Sequence, residues 1–234
     1  MREGNVFDAA RRYRAAAERG DPRAQFNLGV LYQQGKGVPN DVFEAAKWYR
    51  AAAEQGDPDA QNNLGLLYAR GEGVPCDHSE AFRWYQEAAE QGDAVAQLNL
   101  GLLYDKGEGV AQDHGRACKW YLAAAEQGNA SAQFNLAVSY EKGQGVLRDF
   151  AEAARWYRAA AQQGHAGAQH NLSIMYYKGE GVAKDPDEGM KWASLAVEHP
   201  GAYRAMAIAI AKRLAPWVIG ALVLGGLLFW SLKR

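Results

Sequence analysis

Ala24-Gln25-Phe26-Asn27-Leu28 returns as Ala60-Gln61-Asn62-Asn63-Leu64, Ala96-Gln97-Leu98-Asn99-Leu100, Ala132-Gln133-Phe134-Asn135-Leu136 and Ala168-Gln169-His170-Asn171-Leu172, each 36 residues after the last. Self-similarity at such a spacing marks a stack of supersecondary units, each burying its apolar face against its neighbours rather than in one central core. The number of repeats in this 234-residue chain therefore sets the extent of the fold, and one elongated domain is expected.

Each unit reads as two helices. Helix A opens at Asp21-Pro22, Asp57-Pro58, Asp93, Asn129 and His165. Asp or Asn there accepts a backbone N–H of the first turn, and proline at the first helical position gives up no needed hydrogen bond. The helix stops at Gly35, Gly71, Gly107, Gly143 and Gly179, because glycine adopts the left-handed terminating conformation at little cost. Helix B begins at Asp41, Asp77, Asp113, Asp149 and Asp185. Glu44, Glu80, Glu152 and Glu188 follow three residues on, a spacing that predicts reciprocal capping boxes, and only the third unit, with Arg116, lacks the glutamate. Helix B carries Trp48-Tyr49, Trp84-Tyr85, Trp120-Tyr121 and Trp156-Tyr157, then paired alanines that let helices approach closely, and ends at Gly56, Gly92, Gly128 and Gly164.

The string Ala-x-x-Asn-Leu-Gly-x-x-Tyr, then Gly-x-Gly-Val, then Asp-x-x-x-Ala-x-x-Trp-Tyr-x-x-Ala-Ala-x-x-Gly resembles the Sel-one-like repeat (SLR), a relative of the tetratricopeptide repeat. The 36-residue period and the Gly-x-Gly-Val loop distinguish it from the tetratricopeptide form of about 34 residues. The resemblance covers residues 5 to about 198. It implies an all-α, right-handed α/α superhelix (solenoid) of about five and a half helix-turn-helix repeats. The half repeat is a leading lone helix B, Asn5 to Arg19, read either as an N-terminal cap or as the remainder of a truncated unit. The last unit departs from the pattern with Trp192-Ala193, as terminal repeats do.

On a helical wheel, Ala24, Leu28, Leu31 and Tyr32 gather on one face, assigned to the unit's own helix B. Val30, Leu66, Leu102, Val138 and Ile174 lie on a second flank, assigned to the neighbouring repeat.

The charge is asymmetric. The first 199 residues hold 21 basic and 27 acidic side chains, whereas the last 35 hold five basic and no acidic ones. An acidic body argues against nonspecific nucleic-acid binding, and a basic tail around an apolar run suits an anionic membrane surface. After Pro200-Gly201, residues 202–213 read as a capping or juxtamembrane helix, and residues 214–232 form an uncharged stretch. Its helical length of about 28 Å approaches a hydrocarbon core of roughly 30 Å. Trp217 and Trp230 fall near its ends, where interfacial aromatics belong, between Lys212-Arg213 and Lys233-Arg234. The alternative is an apolar helix docked on the solenoid or in an oligomer interface. Met1 to Arg14 contains no apolar stretch of signal-peptide type, so a single-pass, C-terminally anchored protein with cytoplasmic repeats is expected. The expected domains are a solenoid over 1–199, the juxtamembrane helix over 200–213 and the transmembrane helix over 214–232.

Little chemistry is visible. Cys76 and Cys118 occupy non-equivalent repeat positions, unlike the recurring pairs of a disulfide-stapled repeat, and read as reduced thiols. His78 and His114 share a repeat position, hence stand about 10 Å apart in a helical stack, too far to share a metal ion. Gly-x-Gly-Val lacks the Lys-Ser/Thr that grips nucleotide phosphates. No catalytic residue, metal site or cofactor is assigned.

What varies inside the phrase guides the functional expectation. Asn27, Asn63, Asn99, Asn135 and Asn171 form a ladder toward the side that lines the inner groove of such solenoids. They are read either as structural amides or as a grip on an extended peptide backbone, as the resemblance to tetratricopeptide grooves implies. Phe26, Leu98, Phe134 and His170 occupy the variable third letter, shared with Asn62. Gln33, Ala69, Asp105, Glu141 and Tyr177 share another exposed position. These point to a membrane-tethered adaptor that binds a protein or peptide partner in its groove. The alternatives are a hydrolytic enzyme, as some members of the resembled family are, and a soluble oligomeric scaffold.

Overall fold

The computed structural model describes residues 3–197, which form eleven α-helices and no strand. These are α1 (Glu3–Ala17), α2 (Pro22–Gln34), α3 (Val42–Ala53), α4 (Pro58–Arg70), α5 (His78–Glu90), α6 (Ala94–Lys106), α7 (His114–Glu126), α8 (Ala130–Lys142), α9 (Phe150–Gln162), α10 (Ala166–Lys178) and α11 (Pro186–Val197). Even-numbered helices are helices A, and odd-numbered ones, including the leading α1, are helices B. The extensive contacts join consecutive helices, most closely within each A–B pair, which is the nearest-neighbour packing of a solenoid. The expected helix over 202–213 and the span over 214–232, with Trp217 and Trp230, lie outside the described residues. Among the described residues no helix is long and apolar enough to cross a membrane.

The helix starts follow the sequence signals. Asp21 accepts from the Ala24 N–H at 2.7 Å, and Asp57, Asp93 and Asn129 repeat the bond. Asp41 accepts from the Phe43 and Glu44 N–H groups at 3.0 and 3.1 Å. The reciprocal half of the capping box is not formed. The Asp41 N–H donates instead to the Tyr32 carbonyl at 3.0 Å, and Asp77, Asp113, Asp149 and Asp185 donate in the same way to Tyr68, Tyr104, Tyr140 and Tyr176. The end of each helix A thus satisfies the start of the following helix B. This leaves the glutamates free for ion pairs one turn on: Glu44 with Lys47 at 3.4 Å, Glu80 with Arg83 at 2.9 Å, Glu152 with Arg155 at 2.7 Å and Glu188 with Lys191 at 2.8 Å.

The faces of helix A are rotated from those expected. Tyr32 turns toward the preceding helix B, where its hydroxyl accepts from Arg14, as Tyr68 accepts from Arg50 and Tyr176 from Arg158. The residue set against its own helix B is Gly29: a Cβ there would come within 2.7 Å of the Tyr49 ring, and the same holds at 2.8 Å for Gly65 on Tyr85 and 2.6 Å for Gly101 on Tyr121. On the second flank, Val30 and its equivalents are only half-buried, while Leu67, Leu103, Ser139 and Met175, one position later, are buried.

Repeat-to-repeat spacing is set by the second glycine of the loop. Gly73 has φ +66°, and a side chain there would meet the Val42 carbonyl oxygen at 2.3 Å. Gly109, Gly145 and Gly181 approach His78, His114 and Phe150 equally closely. Each loop therefore seats on the first turn of the preceding helix B. Between the layers Tyr49, Tyr121, Tyr157, Leu28, Leu64, Leu100, Leu136 and Leu172 are fully buried. Truncating one such leucine to alanine costs about 2–5 kcal/mol.

Candidate functional site

A row of buried glutamines positions helices A. Gln25, Gln61, Gln97, Gln133 and Gln169 donate through Nε2 to the carbonyls of Ala17, Ala53, Ala89, Ala125 and Ala161 in the preceding helix B, at 3.1 or 3.2 Å. Four of them also accept through Oε1 from Gln55, Gln91, Gln127 and Gln163 of the following helix B, at 2.7 or 2.8 Å. The glutamine in all five copies of the repeated phrase was the available signal for this clamp, which reading the asparagine beside it overlooked.

The side chains singled out from the sequence share the half-buried face of α2, α4, α6, α8 and α10. Phe26 lies 5.9 Å from the ring of Tyr49, with Arg23 Cζ 5.0 Å from its own ring. Phe134 lies 5.8 Å from Tyr157 and stacks on His165 at 4.6 Å. Leu98 and His170 are half-buried at the same position of their repeats. The asparagines divide. Asn171 donates to the Tyr157 hydroxyl at 2.9 Å, Asn63 bonds the Tyr49 hydroxyl, and Asn99 donates to Asn62 at 3.0 Å. Among the described residues Asn27 and Asn135 make no side-chain hydrogen bond. The ladder is thus structural at some rungs and open at others.

The tyrosine hydroxyls were missed by reading Trp-Tyr as packing alone. Tyr49 donates to Gln33 Oε1 at 2.8 Å and Tyr157 to Glu141 Oε2 at 2.5 Å. Burial pushes the Tyr49 phenol up to about 12, with the Asn63 bond pulling the other way. Burial, then the Glu141 carboxylate, pushes Tyr157 up as well. In the third repeat Asp105 instead holds His114 Nδ1 at 2.7 Å. Polar groups at the floor and rings beside them suit an occupant that offers both backbone amides and apolar side chains.

Both cysteines are free: Cys76 is exposed, and Cys118 is buried, with its thiol pushed up by burial. Among the described residues no three His, Cys, Asp or Glu side chains are placed to hold a metal ion.

A profile described as Sel1 repeat matches residues 22–57, 58–93, 94–129, 130–165 and 166–199. Comparison with curated proteins gives no match. Among solved structures, a protective antigen of uropathogenic Escherichia coli with an SLR fold superposes with TM-score 0.78 at 40% identity, over 87% of this chain and 44% of its own. A Sel1 repeat protein from Oxalobacter formigenes gives 0.74 at 39% identity, over 83% of this chain and 78% of its own. An immunity protein of Pseudomonas aeruginosa gives 0.51 at 25% identity, over 81% and 72%. The chain spans less than half the length of the Escherichia coli antigen.

Proposed function

The chain belongs to the Sel1 repeat family, and from that premise we propose that it is a membrane-tethered adaptor holding a protein or peptide partner on its A-helix face. The observation that carries the reading is the division of the asparagine ladder: Asn27 and Asn135 stand beside Phe26 and Phe134 with no side-chain hydrogen bond among the described residues. An extended segment laid across this face, the concave side of the right-handed superhelix expected for the family, meets amides for its backbone and rings for its side chains. Phe26, Asn27, Asn63, Leu98, Asn99, Phe134, Asn135, His170 and Asn171 are its binding residues. It is a binding module rather than an enzyme.

The tether is the uncharged run over residues 214–232, bracketed by Lys212-Arg213 and Lys233-Arg234. Ten Leu, Ile, Val and Phe residues contribute roughly −3 to −6 kcal/mol of insertion preference, offset in part by Pro216 and three glycines. The domain boundaries at 199 and 213 follow from this placement, with the repeats on the cytoplasmic side. Tethering raises the groove's effective concentration at the membrane without adding a contact.

Crosslinking and mass spectrometry of the full chain on its native membranes tests both halves. Crosslinks between a partner and α6 or α8, in a fraction that resists carbonate extraction, are expected. Crosslinks confined to other faces would refute the groove, and release by carbonate would refute the tether.

A further inference from the structure

The outward edge of helix B repeats one arrangement: an acidic residue, a cation three positions on, then tryptophan. In α5 the cation is doubly held, with Arg83 2.9 Å from Glu80 and 3.2 Å from Glu87 and its guanidinium 3.9 Å from the Trp84 ring centre. In α9 Arg155 pairs with Glu152 at 2.7 Å and lies 4.3 Å from the Trp156 ring. In α3 Lys47 pairs with Glu44 beside Trp48. The positions of Glu80, Arg83 and Glu87 in α5 become Arg116, Lys119 and Ala123 in α7. Among the described residues Lys119 has no carboxylate partner, and the one carboxylate near Arg116 is the capping Asp113, at 3.4 Å, with the guanidinium also reaching Tyr104, 5.6 Å from its ring centre.

Folding does not require this exchange. The Asp113 N–H is satisfied by the Tyr104 carbonyl at 2.9 Å, and Asp113 still accepts from the Arg116 N–H at 2.9 Å, so the cap survives without glutamate. Two cations three residues apart repel one another on a helix surface. Arg116, Lys119, Trp120 and Ala123 line one shallow depression, and Trp120 is half-buried, as are Trp48 and Trp192 at the same repeat position.

We propose that this stripe of α7 docks an acidic peptide segment of a partner protein, at a site apart from the A-helix face. The Arg116 fork takes one carboxylate and Lys119 a second, and an apolar side chain between them rests on Trp120 and Ala123. The flanking helices select the class of ligand. On α5 and α9 the equivalent cations Arg83 and Arg155 are already paired with Glu80, Glu87 and Glu152, so the unmatched positive charge is confined to α7, too small a patch for an extended polyanion or an anionic membrane plane. A short acidic segment running along α7 matches that patch.

The test is fluorescence anisotropy of a labelled Glu-Glu-Leu-Glu-Glu peptide with the full chain in detergent. Saturable binding that weakens with salt is expected. Arg116→Glu, which restores the pattern of the other repeats, should weaken it about tenfold, one exposed ion pair being replaced by repulsion and Lys119 being drawn to the new carboxylate. The double variant Glu80→Arg with Glu87→Ala transplants the stripe to α5 and should raise the peptide stoichiometry from one to two. Circular dichroism confirms that both variants fold. Unchanged affinity in Arg116→Glu, equal binding of the Gln-Gln-Leu-Gln-Gln peptide, or equal competition by inorganic phosphate or phosphatidylserine vesicles would overturn the assignment.

Discussion

Gln133 accepts from Gln163 Nε2 at 2.8 Å while its own Nε2 donates to the Ala125 carbonyl at 3.1 Å, so one side chain joins both helices that flank α8. Gln133→Leu leaves a buried carbonyl without its donor, a loss of about 1–3 kcal/mol. Asn135→Ala, two residues on, removes an amide with no such partners and should change stability by no more than about 0.5 kcal/mol. Urea unfolding of the two variants measures the difference. Equal losses would mean that the glutamine clamp is not what orders the stack.

His165 caps α10 by accepting the Ala168 N–H on Nδ1 at 3.1 Å, which only an unprotonated Nδ1 can do. Burial lowers its pKa from the usual 6.5. Stability from a depressed group is fully present above the unfolded value and is lost as pH falls through it toward the folded value. The melting temperature should therefore drop as pH falls below about 6.5, and His165→Asn, which restores the cap of the preceding repeat, should flatten that dependence. Thermal melts of both proteins across this range decide it.

Alkali acts through the buried tyrosines. Burial raises the Tyr49 phenol from 10.0 to about 12, and Tyr85, Tyr121 and Tyr157 are raised as well. A raised folded pKa means stability fully present below pH 10.0 and progressively lost as pH rises toward 12. Phenolate absorbance and helical circular dichroism should change together over that window. Titration of these tyrosines with the helices intact would contradict the burial assigned to them.

Gly101 is held by the Tyr121 ring, 2.6 Å from where its Cβ would stand. Gly101→Ser should cost about 1–3 kcal/mol by overpacking. The fourth repeat accommodates one carbon here, with Ala137 and Tyr157 both buried, whereas the fifth has the larger Ser173 with Ala193 in place of the tyrosine. In a Tyr121→Ala background the serine should cost much less, and a double-mutant cycle reads the coupling.

How much of this was legible depends on how local each feature is. The 36-residue period, the capping residues from Asp21 to His165 and the terminating glycines are properties of neighbours in the chain, so they determined the helices, their order and the stacked architecture. The Asn63 and Asn171 bonds to tyrosine hydroxyls cross between helices. Among the described residues the same residue type at Asn27 and Asn135 makes no such bond, and a repeating letter carries no sign of that difference. The capping boxes failed for a related reason: a local rule assigned the Asp41 N–H to Glu44, but the end of α2 brings the Tyr32 carbonyl to it first.

The sequence by itself determined the repeat, its boundaries and the family it resembles, because backbone preferences act within a turn or two. Only the tertiary structure decided which way helix A turns between its neighbours, with Gly29 against Tyr49 and Tyr32 toward Arg14. It alone also separated the buried Gln133 from the half-exposed Asn135. A small rotation about a helix axis exchanges a clamp for a contact surface, and in the first three repeats that rotation brings a tyrosine ring against a glycine in another helix.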